Sequence, residues 1–395
     1  MNKLDYQNDV RRQVLSLPDL VEDQLIGCFG PGLKDLMSMA EIFDARKIIL
    51  TGCGDSYAAA IAMAPVIAKY CDCFGVQVMR AVEFTRFLPK ADIGIGEPNS
   101  PLVIAISASG GPARIEEVLR KANEVGAFSI LLTNNPNSRC SKVAKRVYVV
   151  NTPAFPNANP GLRSYFASMM GLIAFASRMG HVRGTLPPTG PAEFKEAIRT
   201  YVARWAEVMD KIDDQMFQLA VQWKDYTRFD FVGDGVEFAS AFFGAAKFLE
   251  CNGCAATFDD SEDWCHINFF LKNPESIGTV IMADKNSPSF GRIVETVGSA
   301  VSIGRPTLVV TNADASCFHE GAVVCTVPEA PEGYEWLLPL MDFIPASLLA
   351  GYLSPLQGEP FFRRAWLPDG TPDPTSPFAN PAIFTIGSSK IEIYE

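Results

Sequence analysis

Two stretches of this chain repeat one order of elements, a short apolar strand, a glycine-rich turn and a helix, and that repetition points to parallel sheets covered by helices. In the first half, Lys47-Ile48-Ile49-Leu50 reads as a strand, Thr51-Gly52-Cys53-Gly54-Asp55-Ser56 as the turn, and Tyr57 to Tyr70 as an alanine-rich helix. A second such unit follows, with a strand at Leu102 to Ile106, a turn at Ser107-Ala108-Ser109-Gly110-Gly111 and a helix at Ala113 to Val125. Phe128 to Thr133 and Arg146 to Val150 continue as strands, and a helix from Ser164 to Arg178 closes the domain. The second half echoes this order. Phe229 to Val232 leads into Gly233-Asp234-Gly235 and a helix from Glu237 to Glu250. Strands are expected at Ile277 to Ala283, Thr307 to Val310 and Ala322 to Val327, with a buried helix from Leu337 to Tyr352.

A chain of 395 residues exceeds the size at which one hydrophobic core stops growing, so two domains are expected. Pro187-Pro188-Thr189-Gly190 marks the boundary, and Glu193 to Lys211 reads as a connecting helix. The expected division is a helical segment over 1–34, a first α/β domain over 35–190, the connecting helix over 191–213, a second domain over 214–360, and a C-terminal arm and tail over 361–395. Pro, Asp and Gly make Phe361 to Asn380 an irregular arm.

Apolar residues at 48% and charged residues at 20% fit a globular protein. A formal charge of -11 repels nucleic acid and anionic membranes, so an anionic ligand would need a locally positive pocket of helix N-termini and a few cations. The polar start Met1-Asn2-Lys3-Leu4-Asp5 lacks the apolar core of a signal peptide, and the apolar runs Tyr165 to Ala176 and Leu337 to Tyr352 fall short of the ~20 residues that cross a bilayer. A cytoplasmic protein with ten free cysteines is expected. Cys251, Cys254, Cys265 and His266 do not make a convincing zinc set, because no second Cys pair completes a tetrahedron. Neither a metal nor a cofactor is expected.

A glycine-rich turn between strand and helix gathers backbone N–H groups and the positive end of the helix dipole. Gly54 and Ser56 in the first turn, and Ser107, Ala108 and Ser109 in the second, are therefore expected to hold an anion such as phosphate, with hydroxyls as added donors. A dinucleotide fingerprint fails, because Tyr57 stands where its third glycine would be, and no Gly-Lys-Ser/Thr follows either turn.

Gly52 to Tyr57, Ile106 to Gly110, and Glu250 with His266 together resemble the sugar-isomerase (SIS) family, in particular the isomerase part of glucosamine-6-phosphate synthase and its deaminase and deglycase relatives. The resemblance runs from Gly32 to Glu395. In that family a Glu at a helix end precedes a His by sixteen residues, as Glu250 precedes His266. Lys247 matches one helical turn before Glu250, and Lys390 lies five residues before the C-terminus, as the family's tail lysine does. The resemblance implies two tandem SIS domains, each a flavodoxin-like parallel sheet flanked by helices. It differs at the second turn, where Ala108 stands for Gln and Gly111-Pro112 for Glu-Thr. Arg163 and Ser164 stand where the synthase has a Ser-Thr-Lys run, and the arm over 361–380 is an insertion.

The roles that follow are those the resemblance implies. Glu250 is the base that moves a proton between sugar C1 and C2, aided by Lys247. His266 opens the sugar ring, and Lys390 forms an imine with the open-chain ketose or holds its oxygens. Cys53, Asp55, Arg163 and Ser164 contact the rest of the substrate. With no glutaminase segment ahead of Gly32, glutamine-dependent amination is not expected. The expected activity is deglycation or deamination of a 6-phosphorylated amino sugar or fructosamine. Simple aldose-ketose isomerisation is the alternative, and a sugar-phosphate sensor without catalysis is a third. A homodimer with the His reaching a partner's pocket is expected, with no nucleic acid or membrane partner.

Overall fold

The computed structural model describes residues 1–94, 101–157, 159–359, 373–376 and 386–394. They group into two compact units, each assembled from separated stretches. The first unit comprises Asp19–Ala154, Arg163–Ala197 and Pro381–Glu395, and the second Met1–Pro18, Phe155–Leu162 and Ile198–Asn380.

Four short helices open the chain: α1 (Asp9–Leu15), α2 (Leu17–Cys28), α3 (Pro31–Leu36) and α4 (Met39–Asp44). The first unit then runs β1 (Lys47–Gly52), α5 (Asp55–Tyr70), β2 (Gly75–Arg80), α6 (Lys90–Ile93), β3 (Leu102–Ile106), α7 (Ala113–Glu124), β4 (Phe128–Thr133), β5 (Arg146–Val149) and α8 (Leu162–Arg183). Its sheet is five-stranded and parallel, in the order β2-β1-β3-β4-β5. Ile48 lies beside Leu102, and Leu50 beside Ile104. The strands β1, β3 and β4 are mostly apolar and buried beyond their first residue because both faces of the sheet are covered. On one face Ile49, Val103 and Leu131 pack against Ile115, Val118 and Leu119 of α7, whose i, i+3, i+4 spacing puts them on one stripe.

The second unit takes in most of α9 (Gly190–Trp223) and continues through β6 (Arg228–Val232), α10 (Phe238–Asn252), β7 (Ala255–Asp259), α11 (Ser261–His266), β8 (Ile277–Ala283), α12 (Phe290–Ser302), β9 (Thr307–Thr311), β10 (Val323–Thr326) and α13 (Ile344–Leu356). Its parallel order is β10-β9-β8-β6-β7. Val232, Ile281 and Val309 meet Trp264 of α11 and Ile293 and Val297 of α12.

Three expectations change. The long helix runs Gly190–Trp223 rather than over 193–211. The helix expected at Leu337 to Tyr352 is two elements, a 3-10 turn at Glu335–Leu340 and then α13, because Pro339 breaks the first and Pro345 suits the opening turn of the second. The stretch Glu335–Leu356 has the length and hydropathy of a membrane span, and its most apolar 18 residues are all buried inside the protein. The strands β2 and β7 were not expected at all. Most of the arm over 361–380 lies outside the described residues; within 373–376, Asp373 Oδ1 accepts the Thr375 N–H at 2.8 Å.

Charge also holds the second unit together. Asp213 on α9 has a fully buried side chain and accepts from Lys3 Nζ at 2.7 Å, Arg11 Nη2 at 2.9 Å and the Tyr352 hydroxyl at 2.6 Å. Burial alone would raise the Asp213 carboxyl, but these donors outweigh it and hold it below its ordinary value. A depressed carboxyl stabilises the fold above its unfolded pKa of about 3.9 and loses that contribution as pH falls through the lower folded value. Asp213→Asn is therefore expected to cost about 3–5 kcal/mol at pH 7, because it leaves the part-buried Arg11 without this charge partner and Lys3 with only the exposed Asp214. Urea denaturation should show the difference from wild type shrinking as pH is lowered below about 4.

Candidate functional site

Strand order reverses between β1 and β3 in the first sheet, and such a switch point opens a crevice at the strands' C-terminal ends. Both serine turns lie there. In the first, Gly54 caps α5, and Asp55 and Ser56 form the helix's opening turn instead of the loop expected for them. Ser56 thus stands at a helix N-terminus, where its N–H donates to Cys53 O at 3.2 Å. Cys53 itself is exposed.

The second turn is built more tightly. Ser107 is 4% exposed and its Oγ accepts the Gly110 N–H at 3.1 Å, while Ser109 Oγ accepts the Gly111 N–H at 3.2 Å. The Ala108 carbonyl is held by the Asn134 N–H at 3.0 Å and the Thr133 hydroxyl at 3.1 Å. Gly110 has φ +60, and a Cβ there would stand 2.0 Å from Ser138 Oγ, so only glycine fits. A serine that accepts one bond keeps its own O–H to donate, which suits an anion held in front of the turn.

Arg163, 7% exposed, begins α8 and donates through Nη2 to Pro153 O at 3.4 Å. Burial pulls its guanidinium below its ordinary value, partly offset by Asp23 and Asp19. Ser164 follows it, its carbonyl accepting the Ser168 hydroxyl at 2.8 Å. Three further cations of this unit were not anticipated. Arg80 ends β2 and stacks 5.3 Å from the Tyr57 ring at the first turn, while Arg114 and Arg139 both bond to the C-terminal tail. Arg80 had no sequence signal because its strand had none.

Lys390 lies in that tail. Its side chain is 82% exposed and pairs with Glu392 at 2.7 Å, a bond that raises the amine above its ordinary value. Imine chemistry needs the neutral amine, so Lys390 has to leave Glu392 before it can act in that way.

The second unit carries the other candidates. The helix α10 ends where Gly253 takes a left-handed conformation at φ 69, which leaves Glu250 in the last turn. The Lys247 side chain is wholly buried, lies 4.5 Å from the Phe243 ring centroid and pairs with the Glu250 carboxylate, which is 36% exposed. Lys247 thus holds the Glu250 carboxylate from the buried side while part of it stays open to solvent.

His266 ends α11. That helix is held at its start by Asp260, whose Oδ1 caps Glu262 and Asp263 N–H, and by Asp234, which accepts from Ser261 N at 2.8 Å and Ser261 Oγ at 2.7 Å. Asp234 belongs to the glycine-rich turn after β6, so the turn that repeats the first unit's serine loop here supports the histidine's helix. The His266 ring is 67% exposed and bonds to Glu262 at 2.9 Å; Glu262 is in turn held by Arg292 at 2.7 Å. Cys53 to Ser56, Ser107 to Ser109, Arg163, Ser164 and Lys390 thus belong to the first unit, and Lys247, Glu250 and His266 to the second.

Comparison with known proteins extends this picture. Residues 41–178, covering the first sheet and most of α8, match the SIS domain family. The glutamine–fructose-6-phosphate aminotransferase (isomerizing) of Thermotoga maritima is 22% identical over 365 residues, a match covering 89% of this chain and 57% of that protein. The chain thus corresponds to little more than half of such relatives. The C-terminal domain of glucosamine-fructose-6-phosphate aminotransferase from Francisella tularensis superposes with a TM-score of 0.77 at 19% identity, over 91% of this chain and 99% of that one. The tagatose-6-phosphate ketose/aldose isomerase of Escherichia coli superposes with a TM-score of 0.71 at 13% identity, over 91% and 97%. Residues 41–178 thus match the SIS domain family, the second unit repeats the same parallel five-stranded architecture, and over most of its length the chain is similar in fold to the C-terminal domain of that aminotransferase.

Proposed function

We propose that this protein binds a 6-phosphorylated amino sugar or fructosamine, transfers a proton between its C1 and C2, and expels the amine by deamination or deglycation. The pairing of Glu250 with the buried Lys247 carries this reading: it supplies a fixed, solvent-accessible carboxylate base at a helix end. In this scheme the serine turns of the first unit take the phosphate, His266 opens the ring, and Lys390 holds the open-chain carbonyl as an imine or the enediolate oxygens. Once Glu250 has made the enolamine, return of the proton to the other carbon gives an imine, and water adds to it and releases the amine as the carbonyl forms. Simple ketose-aldose isomerisation is the second reading, and likeness to the Escherichia coli isomerase favours it.

The protein in this reading is a cytoplasmic homodimer. Ile267, Phe270 and Leu271 are 62%, 74% and 40% exposed immediately after the exposed His266, an apolar patch of the kind that a second copy covers.

Incubation with fructosamine 6-phosphates, glucosamine 6-phosphate and plain hexose 6-phosphates separates the readings, with amine release and ketose formation scored independently. Amine release supports deamination or deglycation; aldose-ketose interconversion without it supports the isomerase. In the same assay Ser107→Ala and Ser109→Ala are each expected to weaken binding of the phosphorylated sugar by about 1 kcal/mol or more, the loss of one hydrogen bond to a charged group. Equal binding of the unphosphorylated sugar would remove the phosphate site from the scheme.

A further inference from the structure

The helix α7 buries charge on the side away from its apolar stripe. Glu117 has no exposed side-chain surface, although its place between Ile115 and Val118 makes it a polar-face residue. Its carboxylate accepts from Arg86 Nη2 at 2.8 Å, from Arg114 Nη1 at 2.6 Å and from the Glu392 backbone N–H at 2.6 Å. The same two arginines reach on into the tail: Arg86 Nη1 donates to Glu392 O at 2.9 Å, and Arg114 Nη2 donates to Ser389 Oγ at 3.0 Å and to Lys390 O. Arg86 also lies 4.6 Å from the Tyr394 ring centroid. Further back, the Ala113 N–H at the start of α7 donates to Ile386 O at 2.8 Å, and Arg139 donates to Gly387 O.

Nearly all of these bonds end on the tail's main chain. They recognise the path of the backbone and not the side chains, and they bracket one residue closely: Lys390 is gripped at its own carbonyl, and Glu392, two residues on, at both its N–H and its carbonyl. Meanwhile the Lys390 side chain is 82% exposed, held only by its surface pair with Glu392 at 2.7 Å among the described residues. Fixing a reactive group's base while leaving its tip mobile removes much of the entropy cost of bringing it to a substrate.

We propose that Glu117, acting through Arg86 and Arg114, is a positioning residue that pins the tail on α7 and sets where the Lys390 amine can reach. The proposal rests on the functional reading above, in which Lys390 acts on the sugar.

The test uses the full chain, with hydrogen exchange measured over 386–394 and kinetics on the phosphorylated sugar that the panel shows to be turned over. Glu117→Ala is expected to speed tail exchange at least tenfold and to lower kcat about thirtyfold or more, with KM within about threefold because the serine turns are untouched. Glu117→Ala combined with Lys390→Ala should be no slower than Lys390→Ala alone, since both remove one function. If Glu117→Ala does not fold, Arg114→Lys, which keeps the charge and loses the two-pronged grip, is read in the same way. Unchanged tail exchange, or losses that multiply in the double variant, overturn the proposal, as does wild-type turnover by Lys390→Ala. If the unaltered protein converts no sugar in the panel, the functional reading falls, while faster tail exchange in Glu117→Ala still upholds the clasp.

Discussion

Glu250→Gln is expected to lower kcat by about 10²–10⁴-fold, the range removed with a positioned acid-base group, while the Kd of a sugar 6-phosphate stays within about tenfold. The amide keeps the size of the side chain and an oxygen that accepts from Lys247, but it takes no proton from carbon. It also leaves the wholly buried Lys247 ammonium facing a neutral partner at that position, so a measurable loss of thermal stability accompanies the loss of rate. The rate must therefore be measured at a temperature where circular dichroism shows the variant folded. Turnover near the wild-type rate under that condition would falsify the assignment of Glu250 as the base. A fall in affinity that matches the fall in rate would instead make Glu250 a binding group.

Glu250 was singled out in the sequence through the family resemblance, which sets a Glu at a helix end sixteen residues before a His and a Lys one turn before it; Glu117 has no such counterpart. The pairing of Glu250 with Lys247, one helical turn away, is local. Glu117 also pairs locally with Arg114, but on a helix surface that pattern ordinarily means a solvated face. What buries it is the main chain of Glu392, 275 positions away, and no local pattern reports such a contact.

The same distinction runs through the sheets. The strands β3, β4 and β8 have the expected bounds because each lies within its sheet, buried on both faces, and reads as a mostly apolar run. The strands β2 and β7 lie at sheet edges, and both mix exposed with partly buried positions. Gly75-Val76-Gln77-Val78-Met79-Arg80 and Ala255-Ala256-Thr257-Phe258-Asp259 consequently lack that run. Their pairing with β1 and β6 is what makes them strands. The serine turns were legible for a further reason: glycine at a positive φ, as at Gly110, and serine at the adjoining positions are demanded by the backbone itself.

Mixing Glu250→Gln with His266→Ala, each inactive alone, is expected to restore activity after subunit exchange. The His266 ring is 67% exposed, and Ile267, Phe270 and Leu271 beside it leave an uncovered apolar surface. If a second copy covers that patch, the histidine enters the partner's site, and each site of a symmetric dimer takes Glu250 from one chain and His266 from the other. In a mixed dimer one site then holds both native residues and the other neither. An equimolar, fully exchanged mixture contains about half mixed dimers, each with one working site of two, so about a quarter of wild-type activity is expected. Were both residues supplied by one chain, every site in the mixture would lack one of them and no activity would return. Sedimentation separates the cases further: a monomer at assay concentration, or a verified mixed dimer that stays inactive, would show that each chain builds its site alone.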